Sequence, residues 1–261
     1  MRELKATLDG RKYQYYLSGR GKKTLVMLHG LAADKGHMAC LFERYPDEPL
    51  FKKYRYLIPD LFGHNNLPIY GKGTVDDQAD YIIRLLEHLK IRDFALIGFS
   101  LGSLVSLKIA EHYKKKTPIV LWASPIAGAG IFARLGLHII DLMPAWLYKA
   151  IVNTPLAIPA GRFLSQKNAQ RVIESAGKFD KRMIKSVCFC ADKQSLDSPN
   201  PKLFIFGTKD PAIPQSAARR LIELKPNNAR IMTVRQGGHA YTDEGAKAAL
   251  ELIRAFLYEI F

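Results

Sequence analysis

The stretch that decides the fold of this chain is Phe94-Ala95-Leu96-Ile97-Gly98-Phe99-Ser100-Leu101-Gly102. Its apolar start, Phe94–Ile97, predicts a short buried strand, and the pattern from Leu101 to Tyr113 predicts a helix. Between them lies a G-x-S-x-G sequence in which the serine is Ser100. A strand–turn–helix unit of this kind projects the serine hydroxyl from the end of a strand, where it can act as a nucleophile. Ser100 is therefore the first candidate catalytic residue.

Apolar runs alternate with helical patterns on both sides of this stretch, which is typical of a mostly parallel sheet flanked by helices. An Asp9-Gly10 turn near the N-terminus predicts an antiparallel hairpin at one edge. The other predicted strands are Glu3–Leu8, Lys12–Leu17, Thr24–Leu28, Tyr56–Pro59, Ile119–Trp122, Leu203–Phe206 and Ile231–Val234, and two further long helices are Val75–Leu89 and Asp243–Ile260. We predict an α/β fold with an eight-stranded sheet.

The alternation stops between Pro125 and Asn200, where no convincing strand pattern occurs. Helical patterns replace it at Ile131–Leu142, Trp146–Ile151 and Ala169–Ile173, and prolines interrupt them. Because these helices would be inserted between two strands of the sheet, we predict a helical cap. The predicted core domain comprises residues 1–125 and 200–261, and the predicted cap comprises residues 126–199.

A serine hydroxyl is a weak nucleophile and needs a neighbouring base. Of the seven histidines, His239 directly follows the last predicted strand and so lies at the sheet edge that carries Ser100. Asp210 follows the strand Leu203–Phe206 at that same edge and can orient the imidazole. The segment Ala123–Pro125 follows another predicted strand at this edge but has no carboxylate that could take the role. Asp210 is therefore the candidate acid.

Further motifs point to a known family. The His29-Gly30 pair after the third strand and the segment Pro59–His64 after the fourth resemble loops of the α/β-hydrolase family, as do the G-x-S-x-G turn and the order Ser…Asp…His. The resemblance covers nearly the whole chain outside the cap. It implies the α/β-hydrolase fold, an oxyanion hole formed by the backbone N–H groups of Leu31 and Leu101, and a bracing role for His29. It also implies acyl transfer to water, because other branches use Asp (epoxide hydrolases, haloalkane dehalogenases) or Cys (dienelactone hydrolases) in place of Ser.

The predicted activity is that of a serine hydrolase of the carboxylesterase or lipase type, which acts through an acyl-enzyme. Such a reaction requires neither a metal nor an organic cofactor, and the sequence contains no motif for either. Apolar residues dominate the cap and the neighbouring loops, which favours a neutral or hydrophobic ester-like small molecule. The predicted substrate-binding residues are Phe62, Phe99, Met143, Trp146 and Tyr241, with packing inside the cap as the alternative for its members.

The chain carries 39 Lys and Arg against 24 Asp and Glu, a formal net charge of +15. The basic residues form no stripe with interleaved aromatics, so nucleic-acid binding is not predicted. No apolar run approaches about 18 residues, so no membrane span is predicted, although the charge permits association with an anionic membrane surface. Three cysteines and the lack of a signal-peptide pattern predict a cytoplasmic location, and the oligomeric state stays open.

Other functions fit parts of the pattern. The GFSLG turn resembles the GFSMG of cofactor-independent haloperoxidases and perhydrolases, and cleavage of an activated C–C bond needs the same three residues. A ligand receptor or a basic scaffold protein built on this fold needs no turnover at all. An intact set of Ser, His and Asp favours an enzyme over these two.

Overall fold

The computed structural model describes residues 1–113, 115–154, 157–159, 169–188, 196–239 and 245–261. Its strands correspond to the predicted apolar runs, with bounds that differ by at most two residues. The strands are β1 (Arg2–Leu8), β2 (Arg11–Ser18), β3 (Thr24–Leu28), β4 (Arg55–Pro59), β5 (Phe94–Phe99), β6 (Ile119–Trp122), β7 (Lys202–Gly207) and β8 (Ala229–Val234).

These strands form one eight-stranded sheet in the order β1-β2-β4-β3-β5-β6-β7-β8. The β1–β2 hairpin and the β2–β4 pair are antiparallel, and all other neighbours are parallel. Asp9 and Gly10 turn the hairpin with φ values of 49° and 74°, a conformation that suits this residue pair. The predicted mostly parallel α/β architecture is confirmed.

Every residue of β3, β5, β6 and β7 is buried. Helices cover both faces of a parallel sheet, so its central strands are continuous apolar runs rather than alternating ones. The helices outside the predicted cap are Lys35–Arg44, Pro49–Lys53, Val75–His88, Leu101–His112, Gln215–Glu223 and Ala246–Ile260. The predicted helices Val75–Leu89 and Leu101–Tyr113 are thus present, and Asp243 of the last one lies outside the described residues.

In the described part of the chain between β6 and β7, where the cap is predicted, the α-helices include Ile131–Leu142, Ala145–Val152, Ala169–Gly177 and Met183–Cys188. The described residues of this segment contain no strand. The third helix is one turn longer than its apolar pattern predicts, because residues 174–177 continue the helix. The division of the chain into a core domain and a cap domain stays a prediction.

The helices of the described residues include none that combines the length and the apolarity needed to cross a bilayer. The cytoplasmic location predicted from the sequence is a separate matter and stays a prediction.

Candidate active site

Ser100 directly follows β5 and precedes the helix Leu101–His112, with φ 50° and ψ −115°. A non-glycine residue at positive φ is strained, and such a residue persists only where its surroundings hold it. Here the Ser100 N–H donates to the Trp122 carbonyl at 2.9 Å, and the Ser100 carbonyl accepts from the Ser103 N–H at 3.0 Å. The structure therefore contains the predicted strand–turn–helix unit, with the serine at its turn.

The two glycines that flank this serine have no room for a side chain. A Cβ on Gly98 would lie 2.3 Å from the Gly102 carbonyl oxygen, and one on Gly102 would lie 2.4 Å from the Leu28 carbonyl oxygen. Each clash is with backbone, which cannot rotate away as a side chain can. The tight turn that presents Ser100 therefore depends on glycine at both positions.

Asp210 and His239 form a close hydrogen-bonded pair. His239 Nδ1 lies 2.9 Å from Asp210 Oδ2 and 3.1 Å from Oδ1. A carboxylate only accepts hydrogen bonds, so the ring donates from Nδ1, which leaves Nε2 unprotonated in the neutral imidazole. The buried carboxylate is itself fixed, since its Oδ1 accepts from the backbone N–H groups of Ala212 and Ile213, each at 2.8 Å.

The pair lies at the same edge of the sheet as the serine. β5, β7 and β8 run parallel, so Ser100, Asp210 and His239 all follow the carboxyl ends of their strands. The Phe99 ring, next to Ser100 in sequence, lies 5.1 Å from the His239 ring between their centroids. The hydrogen bonds of the described residues do not include one between Ser100 and His239; such bonds are often long before substrate binds.

Two backbone N–H groups near the serine are without a partner among the described residues. The N–H groups of Leu31 and Leu101 donate no hydrogen bond to an acceptor in the described residues. Leu101 begins the helix after Ser100, where N–H groups lack intrahelical acceptors. Leu31 follows Gly30, at which an added Cβ would lie 3.2 Å from the Ser100 Cβ. Both residues are close to Ser100 in the chain or in space, and the oxyanion hole that their N–H groups would form stays a prediction.

His29 braces this loop, as the sequence implied. Its Nδ1 donates to the Gly30 carbonyl at 2.8 Å, and its Nε2 accepts from the Leu61 N–H at 3.0 Å. Complete burial lowers the pKa of His29 to about 4, so the ring is neutral near pH 7 and can accept this bond. The ring of His64 lies 4.9 Å away, and burial lowers its pKa to about 3.

Residues 25–251 match the model of a known family, described as the alpha/beta hydrolase family. The chain belongs to the alpha/beta hydrolase family. Its sheet order, its serine turn and its Asp–His pair agree with that membership.

Several known proteins are similar to this α/β-hydrolase in sequence or in structure. A dihydrolipoyllysine-residue acetyltransferase component of an acetoin cleaving system from Pseudomonas putida is 27% identical over 97% of this chain and 68% of its own length. An esterase from Exiguobacterium antarcticum has a similar structure, with a TM-score of 0.78, 17% identity and 97% of each chain covered. An N-acyl homoserine lactonase, AidH, has a TM-score of 0.79 and 17% identity over 97% of this chain and 95% of its own.

A buried ion pair in this α/β-hydrolase was not foreseen from the sequence. Lys35 Nζ lies 2.7 Å from Asp60 Oδ2, and the Lys35 N–H donates to Asp60 Oδ1 at 2.7 Å. Burial alone would lower the pKa of Lys35, but the attraction of Asp60 outweighs it and raises the pKa above its usual value. The pair joins the start of the helix Lys35–Arg44 to the loop after β4, next to the link made by His29. No local pattern marks Lys35 as a partner of Asp60.

A second unforeseen polar cluster joins the helical segment that we predict to be a cap to the rest of the chain. Ser175, in the cap helix Ala169–Gly177, donates to Asp34 Oδ2 at 2.9 Å. Asp34 Oδ1 in turn accepts from the N–H of His37 at 3.2 Å, at the start of the helix Lys35–Arg44. Burial would raise the pKa of Asp34, but the hydrogen bond from His37, the electrostatic attraction of the His37 and His29 rings and the hydrogen bond from Ser175 together outweigh burial and hold the pKa well below its usual range.

The predicted substrate-binding residues lie in different surroundings. Phe99 is nearly buried beside the His239 ring, and Met143 is partly buried against the core. Phe62 is fully buried with its ring edge-on to those of Tyr70 and Tyr81, so its surroundings are those of an aromatic core residue. Trp146 is 72% exposed. Packing inside the cap, which was the alternative to substrate binding for this residue, therefore does not describe its surroundings. Tyr241 lies outside the described residues. Contact of these side chains with substrate stays a prediction.

Proposed function

We propose that this α/β-hydrolase is a serine hydrolase that cleaves a neutral, hydrophobic carboxylic ester or related acyl compound. Ser100 is the nucleophile, His239 the base and Asp210 the residue that orients the base. The observation that carries the proposal is the Asp210–His239 hydrogen bond of 2.9 Å, at the sheet edge where Ser100 is held at a φ of 50°. The pair presents an unprotonated Nε2 at the edge that carries the hydroxyl.

The reaction starts when His239 Nε2 takes the hydroxyl proton and Ser100 Oγ attacks the carbonyl carbon. The carbonyl oxygen becomes an anion that accepts hydrogen bonds from the N–H groups of Leu31 and Leu101. Donors fixed in advance lower the barrier by about 3 kcal/mol each. The carbon–oxygen bond to the alcohol then breaks, and the alcohol leaves with the proton from His239.

Water completes the cycle. His239 removes a proton from a water molecule, whose oxygen attacks the acyl carbon on Ser100 Oγ. The second tetrahedral anion uses the same two backbone donors. The bond between its carbon and Ser100 Oγ then breaks, and His239 returns the proton to Oγ, which releases the carboxylic acid and restores the free hydroxyl. Asp210 stays ionised throughout and stabilises the imidazolium that forms in both halves of the reaction.

The substrate class is inferred from two sources. The names of the three compared proteins describe acetyl transfer, ester cleavage and lactone cleavage, which are all reactions at an acyl carbon. The surroundings of the site add an apolar character, because Phe99 lies beside the base and Trp122 lies 6.0 Å from Phe99 between ring centroids. An ester with apolar substituents fits these surroundings better than a charged one.

Labelling with a fluorophosphonate probe tests the nucleophile. We expect wild-type protein and Ser216→Ala to be labelled and Ser100→Ala to be unlabelled; Ser216 is an exposed helical serine that serves as the matched control. Turnover of p-nitrophenyl esters of increasing acyl length then measures the size of the acyl site. No labelling of folded wild-type protein would contradict the proposal and favour a ligand receptor built on this fold. Labelling without ester turnover would instead favour perhydrolysis or cleavage of an activated C–C bond.

A further inference from the structure

Six large apolar side chains project into solvent from the first two cap helices. They are Ile131, Phe132, Leu135, Ile139, Leu142 and Trp146, which we call the apolar ridge, and they are between 52% and 76% exposed. The other five large hydrophobic side chains that are exposed among the described residues are spread over the rest of the chain. Monomeric proteins seldom expose clustered apolar surface unless it binds something.

The ridge is more than the helices need for folding. Ala133, Leu137, Ile140 and Met143 already pack against the core from the other side of the first cap helix. Ile131, Leu135, Ile139 and Leu142 are spaced three or four residues apart, so they line a second, outward face. A helix at the surface normally has polar residues there. No described residue covers this outward apolar face, which leaves it open to a binding partner.

The charges near the ridge indicate the chemistry of that occupant. The exposed side chains of Arg134 and Lys149 lie on the same two helices as the ridge. Between residues 126 and 199 the sequence has ten basic and five acidic residues, and the whole chain has a net charge of +15. Two copies of so basic a surface repel each other, whereas an anionic surface attracts it. Apolar side chains with a tryptophan, interspersed with Lys or Arg, are typical of helices that lie in a lipid interface.

We propose that the apolar ridge docks this protein on an anionic lipid surface. The two helices lie along the interface, with the ridge among the acyl chains and Arg134 and Lys149 among the phosphates. Gly130, directly before the first helix, donates to the Ala212 carbonyl at 2.7 Å, so the docked helix starts beside the loop of Asp210. Docking does not require catalysis, and Ser100→Ala is expected to bind as the wild type does.

Vesicle binding tests the proposal. The probes are vesicles of phosphatidylglycerol and phosphatidylcholine in equal parts and vesicles of phosphatidylcholine alone, with cosedimentation as the readout. We expect wild-type protein to bind the anionic vesicles at least about tenfold better, with binding weakened by salt. The chain has two tryptophans, and Trp122 is buried, so a blue shift of the fluorescence on binding reports insertion of Trp146.

Matched variants separate the ridge from general surface properties. Phe132→Gln with Trp146→Gln should reduce binding at least about tenfold, because both side chains lose burial in the acyl region. The control is Ile222→Gln with Met232→Gln, which removes two exposed apolar side chains outside the cap and should bind as the wild type does. Circular dichroism and the melting temperature show that each variant is folded.

Reversal of charged residues gives a second, independent test of lipid binding. Arg134→Glu with Lys149→Glu should lose at least about tenfold in binding to the anionic vesicles. Lys90→Glu with Lys116→Glu makes the same change in net charge at exposed positions before β5 and β6, at the opposite edge of the sheet, and should lose much less. Equal losses in both double variants would overturn the proposal. So would failure of folded wild-type protein to bind, or a dimer in sedimentation equilibrium that only the ridge variant dissociates.

Discussion

The carboxyl edge of the sheet and the cap are built by different means. At the edge, the backbone places the chemistry: Ser100 is held by backbone hydrogen bonds, and Asp210 accepts from two N–H groups. In the cap, the helix Ile131–Leu142 contains no fully buried residue. Where backbone atoms position a site, a larger side chain clashes with them and is not tolerated. On a helix that is only loosely covered, larger side chains can be accommodated. Substitutions at the edge should therefore reduce activity or prevent folding, and those at exposed positions of the helix Ile131–Leu142 should change stability only slightly.

The largest expected effect is on catalysis, from Asp210→Asn. An amide keeps the shape of the side chain but cannot stabilise the imidazolium or hold the Nδ1–H tautomer of His239. We expect kcat for any ester that the wild type hydrolyses to fall by about 10⁴-fold, with the melting temperature nearly unchanged. Asp47→Asn, at a side chain that is 97% exposed, is the control and should keep full activity. A loss below about tenfold would exclude Asp210 as the orienting acid.

The second effect is on folding, from Gly102→Ala. The added methyl would lie 2.4 Å from the Leu28 carbonyl oxygen and 2.7 Å from that of His29. Leu28 is paired with Gly98 of β5, which limits how far its carbonyl can move away. We expect the free energy of unfolding to fall by about 3 kcal/mol or more, measured by denaturant titration, or the protein to be insoluble. A variant as stable as the wild type would show that the turn is looser than the structure indicates.

The third effect concerns the cap–core junction, through Asp34→Asn. Asparagine is an equally good helix N-cap, so the substitution removes the charge and keeps the cap. Asp34 accepts hydrogen bonds from His37 and Ser175. Loss of the negative charge weakens both bonds and should lower the free energy of unfolding by about 1–2 kcal/mol at neutral pH.

The pH dependence identifies the cause of that difference. The pKa of Asp34 is lowered in the folded protein, so its ionised form contributes stability above its unfolded pKa, which is about 3.9. As the pH falls below about 4, the wild type loses this contribution and the variant has none to lose. The difference between the two unfolding free energies should therefore shrink there. A difference that is constant from neutral pH to pH 3 would rule out the charge as its cause.

The same contrast explains what could be predicted from the sequence. The serine turn is a local pattern, since a strand, two glycines and a helix are adjacent in the chain. Asp210 and His239 are distant in sequence, but both follow strands of a parallel sheet, whose carboxyl ends meet at one edge. A regular sheet thus converts positions along the chain into positions in space. This is why the pairing of Asp210 with His239 was predictable before any coordinates.

No comparable rule allows the polar contacts between loops and helix starts to be predicted from the sequence. Lys35 and Asp60 are 25 residues apart, and Asp34 and Ser175 are 141 residues apart, in segments whose contacts depend on loop shape. Phe62 has the apolar character of a pocket residue, but the loop after β4 turns its ring into the core. For Trp146, the apolar pattern indicates that a face exists and says nothing about what covers it.

The smallest expected effect is a gain in stability, from Gly136→Ala in the first cap helix. A Cβ at Gly136 would meet no atom within 4 Å, so alanine adds helix propensity without a clash. We expect the free energy of unfolding to rise by about 0.5–1 kcal/mol, seen as a melting temperature about 1–4 °C higher. Gly128, at the start of the cap with φ 112°, is the matched control: alanine is strained there and should destabilise. If Gly136→Ala also destabilised the protein, the helix face around Gly136 would be in close contact with other atoms. The first cap helix would then be as tightly packed as the carboxyl edge of the sheet.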